Sequence, residues 1–209
     1  MSNFVITIAR GFGSGGKQTA IQLSEILSIS YYDKEILKMA SEDSGITEKR
    51  FSQVDEKLRG NTLVSRLKRH RPAEEVLTPE SSDFVSDNNL FEIQSKIIRR
   101  LADMQSCIII GKCADYILSE YKNVVSVYIE APRADCVRSI VDGYGVDIKQ
   151  ANKMISSTDK YRSDYYKYYT GGNEWTNPVN YDLVLNSSRV GRQACAEVIK
   201  SYLQIKGFI

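Results

Sequence analysis

Apolar positions along the chain follow two periods. Residues 4–9 form a short, almost unbroken apolar run closed by Gly11, the pattern of a strand buried on both faces. Over residues 16–27 the spacing becomes helical, with Ala20, Ile21, Leu23, Ile26 and Leu27 apolar. A short strand is expected over 29–32, ending at Asp33. Helices follow over about 34–41 and 47–58, the second with Thr47 as a candidate N-cap. Residues 90–104 place Leu90, Ile93, Ile97, Ile98 and Leu101 on one helical face. A buried strand over 107–110 stops at Gly111, a short helix is expected over 114–121, and a strand over 124–131. Pro132 suits the first turn of a helix over about 133–142. A longer helix over 147–169 is broken by Gly171-Gly172, and a strand over 181–185 and a helix over 192–205 close the chain. Strands alternating with helices predict a three-layer α/β fold with a five-stranded parallel sheet. Between 60 and 89 the periodicity fails. That stretch holds Pro72, Pro79, the Ser81-Ser82-Asp83 cluster and the basic run from Arg66 to Arg71, and it reads as a mobile insertion into one fold.

Charge and composition remove several function classes. Lys plus Arg number 28 and Asp plus Glu 26, so the net charge of +2 gives no whole-chain drive toward nucleic acid or a membrane surface. No apolar run approaches the ~20 residues of a membrane span, and no secretion signal is visible at the N-terminus. Four cysteines (Cys107, Cys113, Cys136, Cys195) without a C-x-x-C pair read as reduced, buried thiols of a cytoplasmic protein. The single histidine, His70, lies in the basic run, which argues against a Cys/His zinc site and against a histidine-based triad.

The chemistry concentrates in Gly11-Phe12-Gly13-Ser14-Gly15-Gly16-Lys17-Gln18-Thr19, between the first strand and the first helix. It fits G-x-x-x-x-G-K, with the usual Ser/Thr displaced by one, to Thr19. Glycines let backbone N–H groups converge on phosphate oxygens, and the helix presents its positive end to the anion. Lys17 adds a mobile point charge for the β- and γ-phosphates. Gly11, Gly13, Ser14, Gly15, Gly16, Lys17, Gln18 and Thr19 are therefore the candidate ATP-binding residues, with Thr19 or Gln18 near Mg²⁺. A G-x-G-x-x-G pattern is also present, but a dinucleotide fold has no role for Lys17.

The G-K-x-T spacing is similar to that of nucleoside monophosphate kinases. Further motifs follow in order: Tyr31-Tyr32-Asp33-Lys34-Glu35, Leu90-Phe91-x-x-Gln94, Ile109-Ile110-Gly111-Lys112-Cys113-Ala114-Asp115, Ile129-Glu130-Ala131-Pro132, Asp159-Lys160-x-Arg162 and Tyr181-Asp182-Leu183. Together they resemble the cytidylate kinase-like family of bacterial P-loop proteins over about residues 3–202. The resemblance implies ATP-dependent phosphoryl transfer to a nucleoside monophosphate, CMP or dCMP first. It implies a core at about 1–33, 90–137 and 176–209, an acceptor-binding insertion at about 34–89 and a lid at about 138–175. Lys17, Lys112 and Arg162 are then the candidate catalytic residues. Asp33, Lys112, Asp115, Asp159 and Arg162 are the substrate-binding candidates, and Thr19 and Asp33 the metal candidates. Asp33 has an equal alternative as the N-cap of the following helix. The lid tyrosines (Tyr161, Tyr165, Tyr166, Tyr168, Tyr169) read first as packing and second as a stacking surface for a base.

The chain departs from the family pattern in two places. Lys112 stands where an arginine fork is expected, and Cys136 and Ser139 stand where two lid-proximal arginines are expected. That predicts slow transfer to CMP or a different acceptor. The rival readings are a nucleotide-binding protein with little turnover and, behind it, a nucleic-acid binder using Arg66 to Arg71.

Overall fold

A computed structural model describes residues 3–52 and 86–209. The basic run, Pro72, Pro79 and the end of the helix expected over 47–58 lie outside the described residues; residues 48–52 are helical. Five strands, β1 (Val5–Arg10), β2 (Ser30–Tyr32), β3 (Cys107–Ile110), β4 (Val124–Glu130) and β5 (Leu183–Asn186), form one parallel sheet in the order β2-β3-β1-β4-β5. The helices are α1 (Gly16–Leu27), α2 (Glu35–Ser44), α3 (Asp87–Met104), α4 (Ala114–Ile117), α5 (Arg133–Tyr144), α6 (Ile148–Tyr169), α7 (Ser187–Val190) and α8 (Arg192–Ile205).

The two-residue period of the strands sorts the core into two layers. Ile6 and Ile8 of β1, Ile108 and Ile110 of β3, and Val125, Val127 and Ile129 of β4 pack against Ala20 and Leu23 of α1 and Ile199 and Leu203 of α8. The alternate residues Val5, Ala9, Cys107, Ile109 and Tyr128 pack against α2, α3 and the inward face of α6. The sheet is thus apolar on both sides, which is why its central strands read as continuous runs. A satellite core joins α5 to α6 through Cys136, Ile140, Ala151 and Ile155.

Element ends differ from the periodicity where polar groups decide them. Helix α3 begins at Asp87, three residues before its apolar stripe, because Ser86 accepts the Asn89 N–H at 3.3 Å. Helix α4 ends at Ile117, four residues early, as the chain closes turns onto the Tyr116 and Leu118 carbonyls on its way to β4. Strand β5 begins at Leu183 because residues Pro178–Asn180 form a 3₁₀ turn capped by Asn177. Of the α6 tyrosines, Tyr169 stacks on Phe91 of α3 at 3.9 Å and Tyr165 and Tyr166 are buried, while Tyr161, Tyr165 and Tyr166 also border the central cavity.

Ile98 is fully buried between α3 and the sheet, and Met104 at the end of the same helix is 72% exposed. Ile98→Ala is expected to cost about 2–5 kcal/mol in urea unfolding, whereas Met104→Ala stays within about 0.5 kcal/mol. Equal losses would contradict the orientation of α3.

Candidate active site

The loop after β1 is held by its own backbone. Gly11 N–H donates to the Ile129 carbonyl at 3.1 Å, and Gly13 and Gly15 adopt left-handed φ of 88° and 91°. A Cβ on Gly13 would stand 2.7 Å from the Cys136 carbonyl oxygen, so only glycine follows this path. Gly15 caps α1 with no side-chain acceptor, so the amides of the first turn face the cleft. The exposed Lys17 Nζ lies 3.2 Å from Asp33 Oδ2. This donor set suits a polyphosphate: converging amides, a helix N-terminus and a mobile ammonium.

Two of the loop residues serve the loop instead of the cleft. Ser14 Oγ lies 2.9 Å from both the Gly11 and Ile129 carbonyl oxygens, and the side chain is buried. The Thr19 hydroxyl, expected near Mg²⁺, is buried and donates to the Gly15 carbonyl at 3.3 Å. The displaced Thr falls on the core side of the helix, and Gln18 lines the cleft in its place.

Asp33 faces the loop. Its carboxylate meets Lys17 and, at 3.5 Å, Arg10 Nη2, while α2 begins at Glu35 with Lys34 in the cap position. The N-cap alternative for Asp33 therefore does not hold. No cluster of three His, Cys, Asp or Glu suited to a metal occurs among the described residues. A lone carboxylate beside a phosphate cradle matches the way Mg²⁺ binds, through one or two carboxylates plus phosphate oxygens.

Across the cleft, β3 runs into three consecutive left-handed residues: Gly111 (φ 70°), Lys112 (φ 60°) and Cys113 (φ 54°). The turn brings Lys112 and Asp115 to the cavity wall. Asp115 Oδ2 accepts from Tyr166 Oη at 2.7 Å, and burial pushes its carboxyl up to about 6. From α6, Arg162 Nη1 donates to the Arg10 carbonyl at 2.8 Å and to Asp159 Oδ1 at 3.3 Å. Asp159 itself accepts the Phe12 N–H at 2.8 Å and does not line the cavity. Its expected contact with substrate gives way to a contact with the loop.

A cavity of about 970 Å³ joins the two sides, with Lys17, Asp33, Lys112, Asp115, Ser139 and Arg162 in its wall. On α5, Cys136 is buried, Arg133 is bound to Asn152 and Ser156, and Arg138 is paired with Asp135 at the surface. Two arginines around the loop escape a reading of the sequence, and of these only Arg10 lines the cavity. Arg10 ends β1 in the cavity floor, signalled only as a charge that closes an apolar run. Arg192, at the start of α8, donates to the Gly13 carbonyl at 3.0 Å and to Ser139 Oγ at 3.1 Å.

The sequence profile of the cytidylate kinase-like family matches residues 5–189. No curated protein matches the chain. Among solved structures, an uncharacterized protein from Eubacterium ventriosum is similar at TM-score 0.70 and 25% identity, covering 97% of this chain and 99% of that one. Shikimate kinase from Bacteroides thetaiotaomicron is similar at TM-score 0.52 and 10% identity, covering 96% and 98%. APS kinase from Mycobacterium tuberculosis, in complex with AMPPNP and APS, is similar at TM-score 0.50 and 16% identity, covering 97% and 98%. The fold is that of P-loop kinases. No helix among the described residues is long and apolar enough to cross a membrane.

The raised Asp115 carboxyl has a consequence for stability. Its ordinary value is 3.8, so between about pH 4 and 6 the folded chain binds more protons than the unfolded one. Its contribution to stability therefore falls as pH rises through that window and levels off above it. The shift corresponds to about 3 kcal/mol. Asp115→Asn is expected to gain stability relative to wild type by up to that amount at pH 7.5 and to show little gain at pH 4, in urea unfolding. Parallel pH profiles would remove the assignment.

Proposed function

The chain belongs to the cytidylate kinase-like family, and we propose that it transfers the γ-phosphoryl group of ATP to a nucleoside monophosphate, CMP or dCMP first. The observation that carries the reading is one continuous cavity with a polyphosphate cradle on one side and a basic, carboxylate-bearing turn on the other. In this reading residues 34–89 form the acceptor-binding insertion and 138–175 the lid.

The loop amides and Lys17 hold the β- and γ-phosphates of ATP. Lys112 holds the acceptor phosphate as a point charge, without the two-pronged geometry of a guanidinium. Asp115, oriented by the Tyr166 hydroxyl that donates to Oδ2, would accept from an exocyclic amine of the acceptor base. With its carboxyl near 6, it is mostly ionised at neutral pH and acts as an acceptor only. Asp33 would hold Mg²⁺, which would supply positive charge against the charge that develops on the phosphates. Arg162 comes from the lid, so closure would bring its guanidinium and the exclusion of water together.

One observation favours a second reading, a nucleotide-binding protein with little turnover: α5 offers a buried Cys136 and the hydroxyl of Ser139 where arginines are expected. Coupled ADP release, screened over CMP, dCMP, UMP, AMP and GMP with shikimate and APS as competing acceptors, separates the two. We expect CMP or dCMP to lead. ATP-dependent thermal shifts with no ADP from any acceptor would favour the second reading. Lys17→Ala should keep the fold and weaken ATP binding by about 1.5–3 kcal/mol in calorimetry. Unchanged affinity would remove Lys17 from the donor site.

A further inference from the structure

Phosphoryl transfer needs positive groups around the equatorial oxygens of the group in transit, and arginine supplies them best. Helix α5 provides none at 136 and 139, yet the cavity floor holds a guanidinium that the reaction described above does not use. Arg10 is the last residue of the central strand, and its side chain runs across the ends of the neighbouring strands β3 and β2. At β3 it passes over Gly111, where a Cβ would collide with Nη1, and at β2 it reaches Asp33. Below it, a Cβ on Gly16 would lie 2.5 Å from its own Cβ. Arg10 thus lies between the donor loop and the acceptor turn, with Lys17 on one side and Lys112 on the other.

Its charge is only partly answered. Among the described residues its N–H groups make one hydrogen bond, to Asp33 at 3.5 Å, although the fork carries five donors. Arg162 adds a second positive charge close by, its Nη1 bonded to the carbonyl of Arg10 itself. Burial and the Arg162 charge together push the Arg10 guanidinium down to about 10, which leaves it protonated at neutral pH. Arg10 and Lys17 share Asp33, and Arg162 is paired with Asp159, so three cations meet two carboxylates and the cavity wall keeps positive charge to offer an anion.

We infer that Arg10 and Arg162 clamp the phosphoryl group in transit, so that the core strand supplies an arginine that helix α5 lacks. The inference rests on the phosphotransfer reading of the cavity. It makes Arg10 a catalytic residue, not a structural partner of Asp33.

The test compares wild type with Arg10→Lys, which keeps the charge and loses the fork. We expect the melting temperature to match that of wild type, the ATP dissociation constant to stay within about threefold, and kcat with the best acceptor to fall about 10²–10³-fold. Arg10→Ala should regain turnover with added guanidinium chloride and not with sodium chloride. In the wild type, the Arg10 Nε–H NMR resonance should move on adding ADP, aluminium fluoride and CMP together, and hold its position with ADP alone. This last readout needs no variant to fold. A kcat within threefold of wild type in Arg10→Lys, or an unmoved resonance in an active wild type, overturns the clamp and leaves the phosphotransfer reading intact. A wild type that releases no ADP with any acceptor removes both.

Discussion

A guanidinium keeps its proton at any working pH, so the strand that carries Arg10 into the cleft floor imposes a charge that its surroundings have to accommodate. Much of the site is shaped around that side chain. Gly16 and Gly111 have no Cβ where Arg10 passes, Asp33 turns from the helix it precedes toward the loop, and Arg162 docks on the Arg10 carbonyl. Within the loop, Gly16 alone makes room for Arg10; Gly11, Gly13 and Gly15 clear Glu130, Cys136 and Arg192 in turn.

The layers were legible because the strands are short, apolar and regularly interrupted by helical periods. Each strand appears within a few residues of its expected span, and the loop between Gly11 and Thr19 lies between β1 and α1 as its spacing predicts. What stayed hidden depends on contacts that no local pattern encodes. Arg192 reaches Gly13 across 179 positions, and Arg162 reaches Arg10 across 152. Asp159 looked like a substrate ligand because of its motif, and it is instead spent on the Phe12 amide. Thr19 was misread for a geometric reason: one residue of displacement turns a helical side chain by about 100°, enough to carry a hydroxyl from the cleft to the core.

The turn after β3 carries its own cost. Lys112 and Cys113 both hold left-handed backbone angles that side chains other than glycine disfavour. The buried strand behind them and the one-turn helix after them keep that geometry in place. Cys113 is buried as the second of these residues, which accounts for a small apolar side chain at that position.

Helix α6 meets the loop after β1 through two backbone groups, the Phe12 amide and the Arg10 carbonyl, and sets Arg162 over the Phe12 ring. Farther along, the same helix is fastened to the opposite wall of the cavity. Tyr166 donates to Asp115, and Tyr169 stacks on Phe91 and donates to the Asp87 carbonyl. One helix thus acts as a strut between the two walls. A shift that loosens it at the loop is felt at the turn after β3, because a packed helix moves as a unit.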